Sequence, residues 1–310
     1  MVRVTEAAAL AASRWVGKGD AVAADRQAIE AMHSAFQSIP FSGQIIMGEG
    51  DSGAVPHLFT GERLGSGGDD HLELAVDALE CTRSVAFGRT NAMSVVAMAP
   101  SQQFYLPPSQ YLDKLAVGPE AAGAIDLNLS VEENLGRIAE AKNYSVPDLT
   151  AAVLDRDRHA PLIDRIRATG ARLRLIPDGD VAAAIATATA GSGVDVLIGV
   201  GSTSAGLLAA AALKCLGGEL HARMAPSDDT EENHLRASYE NEMNKIYRAD
   251  DLARGDNIMF AATGITDGDV LNGVAYRSDG ASTHSMVLRS LTGTRRFIVT
   301  DHYFENNPTY

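Results

Sequence analysis

The sequence predicts an α/β or α+β fold of two αβ subdomains, helix and sheet in alternating layers. Three observations carry this. The 310 residues exceed what one hydrophobic core usually organises, so two subdomains are expected. The apolar runs are mostly of strand length and end in Gly- or Asp-rich turns. After residue 145 strands and helices alternate regularly, so the expected division is 1–145 and 146–310.

In chain order, residues 5–15 are helical, with Thr5 and Glu6 as start signals. A second helix covers 23–36. Residues 44–47 read as a short buried strand ending at Gly48-Glu49-Gly50, and 72–76 as another ending at Asp77. Residues 93–99 form a third apolar run. Then come strand 150–154, helix 160–169 and strand 172–176. The turn Asp178-Gly179-Asp180 leads into helix 181–189, and strand 194–200 leads through a Gly/Ser turn into helix 207–216. That βαβαβα order implies parallel strands with right-handed crossovers. Residues 227–242 are polar and helical, and 258–262, 270–276, 283–288 and 296–300 return to strand.

Composition narrows the function classes. With 40 acidic and 26 basic residues the formal charge is −14, which argues against a nucleic-acid partner. An anionic substrate would need a local basic cluster or bound cations. Two cysteines cannot make a disulfide framework, so reduced thiols in a cytoplasmic protein are expected. No signal layout opens the chain, and the longest apolar run, 207–213, is too short for a bilayer.

Asp25, Glu49, Asp77 and Glu80 form the central constellation. Carboxylates beside buried strands are costly to desolvate unless they are used. Converging, they offer hard oxygen ligands for Mg2+ or Mn2+. On spacing alone they read more readily as solvated loop acids. The segment Ala75-Val76-Asp77-Ala78-Leu79-Glu80-Cys81-Thr82 tips the balance: a strand delivers Asp77, a turn returns Glu80 beside it, and Thr82 adds a hydroxyl.

This segment resembles the Asp-Pro-Ile-Glu/Asp-Gly-Thr signature of the metal-dependent, lithium-sensitive phosphatases. Further stretches, in the same order, are similar to class II fructose-1,6-bisphosphatases. They include Arg14-Trp15-Val16-Gly17-Lys18-Gly19-Asp20, Gly48-Glu49-Gly50, Lys114-Leu115-Ala116-Val117-Gly118-Pro119, Pro177-Asp178-Gly179-Asp180 and Thr263-Gly264-Ile265-Thr266-Asp267-Gly268-Asp269. The resemblance runs from about residue 4 to 303.

The resemblance implies a carbohydrate-phosphatase-like sandwich acting on a sugar bisphosphate or related sugar phosphate. Asp25, Glu49, Asp77 and Glu80 would hold Mg2+ or Mn2+. Thr82, polarised by a carboxylate such as Asp25, would orient the attacking water, while Glu80, Cys81 and Thr82 border the substrate. Tyr111, Arg156, Arg158, Asp178, Asp180 and Ser202 would contact sugar and phosphate, arginine suiting bidentate phosphate recognition. Arg156 and Arg158 could instead pair with Asp155 and Asp157. The relatives imply a homo-oligomer, dimer or tetramer.

Departures from the family pattern cluster in the site. Ala205 stands where the family has a metal-ligating glutamate, Ala78 where proline is usual, Cys81 where glycine is usual, and Ala21 where lysine follows. Gly53 and Ala54 replace two acids. These changes imply an altered active site. Alternatives are a non-catalytic sugar-phosphate-binding homologue, or an enzyme repurposed for other sugar-phosphate chemistry, with His159 as a candidate proton carrier. A dinucleotide site at Gly199, Gly201 and Gly206 fails the fingerprint spacing, since Ser204 takes the third glycine position.

Overall fold

The computed structural model describes residues 1–68 and 71–305. The chain opens with α1 (Val2–Ser13), α2 (Ala21–Gln37), β1 (Ser42–Met47), β2 (Arg63–Leu64), β3 (His71–Glu80), α3 (Thr82–Ala86) and β4 (Met93–Pro100). It continues with β5 (Tyr111–Val117), α4 (Val131–Lys142), β6 (Thr150–Leu154), α5 (Ala160–Ala168), β7 (Arg172–Ile176), α6 (Asp180–Thr187), β8 (Val196–Ser202) and α7 (Thr203–Leu216). β9 (Glu219–Met224), α8 (Asp229–Tyr239), β10 (Tyr247–Arg248) and α9 (Ala249–Leu252) follow, and β11 (Met259–Gly264), β12 (Ala275–Arg277), β13 (Gly280–Arg289) and β14 (Thr294–Tyr303) close the described chain.

Two compact units result, Met1–Phe104 with Gly255–Tyr310, and Tyr105–Arg254. The division thus falls at two points, where the sequence suggested a single cut after residue 145. The reason is sheet completion: β11 pairs antiparallel with β4 along its length, so the C-terminal strands join the sheet begun by the first hundred residues.

In the first unit the sheet runs β12-β13-β11-β4-β3-β1-β2, with β14 on the other side of β13. Helices α1 and α2 pack on it, sharing a core of Ala8, Ala28, Met32, Phe36, Ile45, Leu74, Val76 and Val96. Met32 and Phe36 are fully buried, each contributing about 1.5–3 kcal/mol of transfer free energy. Inside this interface a hydroxyl chain, Thr5 to Thr263 (2.7 Å) to Ser285 (2.8 Å), satisfies polar groups that burial would otherwise penalise.

In the second unit the sheet runs β10-β9-β5-β8-β6-β7. Strands β6, β7 and β8 are parallel, as the alternation implied, whereas β5 is antiparallel to both β8 and β9. The core on the α4 and α5 side contains Leu115, Val117, Leu135, Ile138, Ala151, Val153, Ile166 and Val196. Helices α6 and α7 pack on each other and on β5 and β8. The expected strand 270–276 is mostly turn, leaving only β12 in regular pairing.

Candidate active site

The acids of the first unit come together through strand direction. β1 and β3 are parallel, so their C-terminal ends lie at one edge, and Glu49 follows one while Asp77 is near the end of the other. Gly48 allows the crossing: a Cβ there would sit 2.0 Å from the Leu58 carbonyl oxygen. Beyond it the Glu49 amide donates to that same carbonyl at 2.9 Å.

Helix α2 supplies Asp25. Its first turn is capped by Asp20, which accepts from the Ala23 amide at 2.9 Å, so the helix begins two residues before the expected start. The loop before it is held to the α3 region, Gly17 donating to Val85 and Gly19 to Ala86, each at 2.9 Å.

Electrostatics shows the convergence. Burial, then the charge of Asp77, then more weakly that of Asp25, hold the Glu49 carboxyl well above its ordinary range. The Ala78 amide works against this, donating to Glu49 Oε1 at 2.6 Å. Burial also raises Asp25. Burial and the like charges of Asp77 and Asp25 thus all press on Glu49, the condition a divalent ion would relieve. The oxygens of these three carboxylates are not gathered as tightly as a bound ion would hold them. Among the described residues only His33, His57 and Glu62 bring three ligand atoms within 4.8 Å.

The fourth acid is placed differently. A register shift separates Asp77 from Glu80, and Glu80 is 6% exposed, its Oε2 accepting from the Cys81 thiol at 3.1 Å. Cys81 itself has φ +74°, the left-handed region that glycine tolerates and a Cβ resists. Thus a cysteine occupies a backbone conformation suited to the family's glycine. Ala78 is equally telling, since a proline there would have no N–H to give Glu49. Thr82 opens α3 half-buried, and no hydrogen bond joins it to Asp25.

The second unit gathers its candidates at the carboxyl ends of β6, β7 and β8, the edge at which open α/β sheets bind ligands. Arg156 donates to the Pro177 carbonyl at 2.7 Å and approaches Asp178 at 3.5 Å. Arg158 donates to the Val200 carbonyl at 2.8 Å, and its guanidinium stacks over Tyr111, 5.4 Å from the ring centre. Neither arginine pairs with the Asp155 or Asp157 carboxylate. Tyr111 is the cross-strand partner of Ser202, whose hydroxyl accepts from the Ala205 amide at 3.2 Å and caps α7. Ala205 itself is buried in that first helical turn.

Asp180 is held in a buried ion pair with Lys114, which also donates to the Ser202 carbonyl at 3.2 Å. Gly201 makes room, because a Cβ there would lie 2.1 Å from Asp180 Oδ2. Lys114 carried no role in the sequence reading, although it opens a recognised motif. A lysine followed by an unbroken apolar run, Leu115-Ala116-Val117, was the available signal. His159 is locked rather than free to carry protons. Its Nε2 accepts from the Val200 amide at 2.9 Å, so Nδ1 carries the proton and donates to the Leu154 carbonyl at 2.7 Å. Burial lowers its pKa further, keeping it neutral.

These features define an α/β protein whose strand ends collect acids in one unit and arginines in the other. Comparison with known proteins supplies the lineage. Residues 1–302 match the family described as bacterial fructose-1,6-bisphosphatase, glpX-encoded. The chain is 41% identical to the fructose-1,6-bisphosphatase class 2 of Haemophilus influenzae, over 98% of this chain and 95% of that protein. It is 39% identical to the fructose-1,6-bisphosphatase 1 class 2 of Escherichia coli, over 98% and 94%. The chain belongs to the class 2 fructose-1,6-bisphosphatase family.

Proposed function

We propose that this chain is a phosphoric monoester hydrolase releasing phosphate from a sugar bisphosphate or related sugar phosphate, with Mg2+ or Mn2+ held by Asp25, Glu49, Asp77 and Glu80. The observation that carries the reading is the convergence of Glu49 on Asp77 and Asp25, three carboxylates from three segments. An all-oxygen donor set of this kind fits a hard divalent cation. Such a cation, when bound, neutralises phosphoryl oxygens and acidifies water.

The chain's own residues do the rest. Thr82, at the start of α3, orients water through its hydroxyl. Arg158, held by Val200 and Tyr111, presents a planar fork to a phosphate, and Arg156 and Asp178 flank it. With Asp180 committed to Lys114, its remaining lone pairs are what a sugar hydroxyl would use. Membership of the family supports the same substrate class. A homo-oligomer is part of the proposal; β14 leaves Val299 73% exposed at a sheet edge, and sedimentation velocity tests it.

Ala205 and Cys81 favour a second reading, a sugar-phosphate-binding homologue without turnover. A phosphate-release screen over sugar mono- and bisphosphates with Mg2+ and Mn2+ decides. Release that disappears in Asp77→Asn supports hydrolysis; calorimetric binding of a phosphate ester without release or metal dependence supports the second reading.

A further inference from the structure

The segment between β1 and β2 does more than carry Glu49. His57 and Glu62 lie on it, and His33 lies on α2. One ligand atom from each falls within 4.8 Å of the others, and all three residues are half-buried. His33 Nε2 is 3.3 Å from Glu62 Oε1. The two imidazoles stack, ring centres 4.0 Å apart and planes within 15° of parallel. None of the three belongs to the acid set described above.

Two imidazoles and a carboxylate are a donor set for borderline cations, Zn2+ foremost, and they suit Mg2+ poorly. We infer that His33, His57 and Glu62 form a second cation site, for Zn2+ or an ion of like character, that clips the 48–62 segment onto α2. Three donors at roughly 2.0–2.2 Å from one ion stand about 3.3–3.5 Å apart, and because a ring nitrogen's lone pair lies in the plane of its ring, one imidazole must also turn out of the stack about its side-chain torsions to share the ion. Half-buried side chains have that freedom, and water completes the fourth position. Ligation also requires neutral imidazole. Two imidazolium rings stacked this closely would repel, and burial followed by the His57 charge lowers His33 below its ordinary range.

The clip reaches the acid set through one residue. Leu58, fully buried at φ +57°, donates its N–H to Glu62 Oε2 and accepts the Glu49 amide at its carbonyl. Fixing Glu62 and His57 therefore fixes the backbone that aims Glu49. This positioning role rests on Glu49 serving in the proposed hydrolysis; the cation site itself does not.

The test uses the full chain, stripped with chelator, in an Asp77→Asn/Glu80→Gln background that disables the acid set. Calorimetric titration with Zn2+ should show one ion per chain, undisturbed by excess Mg2+. His57→Ala and His33→Gln should each weaken it at least about tenfold. Co2+ should develop the intense visible absorption of a four-coordinate site in the parent and not in His57→Ala, and Zn2+ should raise the melting temperature of the parent alone. Melting without metal checks that each variant folds, and His33→Gln decides if His57→Ala does not. No uptake in the parent, or uptake unchanged by both substitutions, overturns the site. Because the acid set is already disabled, either result leaves the hydrolysis proposal to its own test.

Discussion

The two strand-end clusters handle carboxylates in opposite ways. In the second unit each key acid has a cation of its own: Asp180 is paired with buried Lys114, and Asp178 with Arg156. In the first unit the charges that act on Glu49 are those of two other acids, Asp77 and more weakly Asp25. Desolvating like charges is costly unless something offsets it, so the contrast separates a self-neutralised cluster from the one proposed to hold metal.

The sharpest way to break this comparison is to remove the internal cation. Lys114→Met leaves Asp180 buried and unpaired, and should cost about 3–5 kcal/mol in urea unfolding. Replacing both partners with apolar residues should recover most of that loss. Next, Asp77→Asn should lower phosphate release at saturating Mg2+ by at least about a hundredfold, with the fold intact by circular dichroism.

A pH series separates the clusters further. The folded pKa of Glu49 lies above its unfolded value near 4.5, so its contribution to stability is complete below that pH and is lost as pH rises through the folded value. The metal-free protein should therefore lose melting temperature as pH climbs from that point, and Mg2+ should restore more of it at higher pH. Glu49→Gln should flatten the curve, and no flattening would mean the carboxylates do not interact. The smallest expected effect is at Cys81, where the Gly variant should be about 1 kcal/mol more stable than the Ala variant, since only the backbone conformation distinguishes them.

Short strands bounded by turns were the most legible part of the fold. β6 matches its expected limits of 150–154 because a continuous apolar run between turns admits little else, and the edge strand β7 matches 172–176 through its alternation of arginine and leucine. β5 was not read as a strand, since Asp113 and Lys114 interrupt its apolar run, and it takes the pairing with Asp180 and the bond to the Ser202 carbonyl to make the buried lysine tolerable. Helix α4 also passed unread although Ser130 and Glu133 form a capping box at its start, a signal visible in sequence. Residues 270–276 misled in the other direction: they look strand-like, yet Gly273 and Val274 pack into a turn against Asp267 and Ile265.

The candidate site divides the same way. Local sequence was sufficient for the residue types at the strand ends, for the lineage, and for which positions depart from it, because each is written within a few neighbouring residues. What those departures do was decided only in three dimensions, by the Ala78 amide bonding Glu49 and the left-handed Cys81, and so was the meeting of His33 with His57 and Glu62. Those pairings depend on how β1, β3 and α2 dock, and no spacing along the chain encodes a distance created by packing between segments.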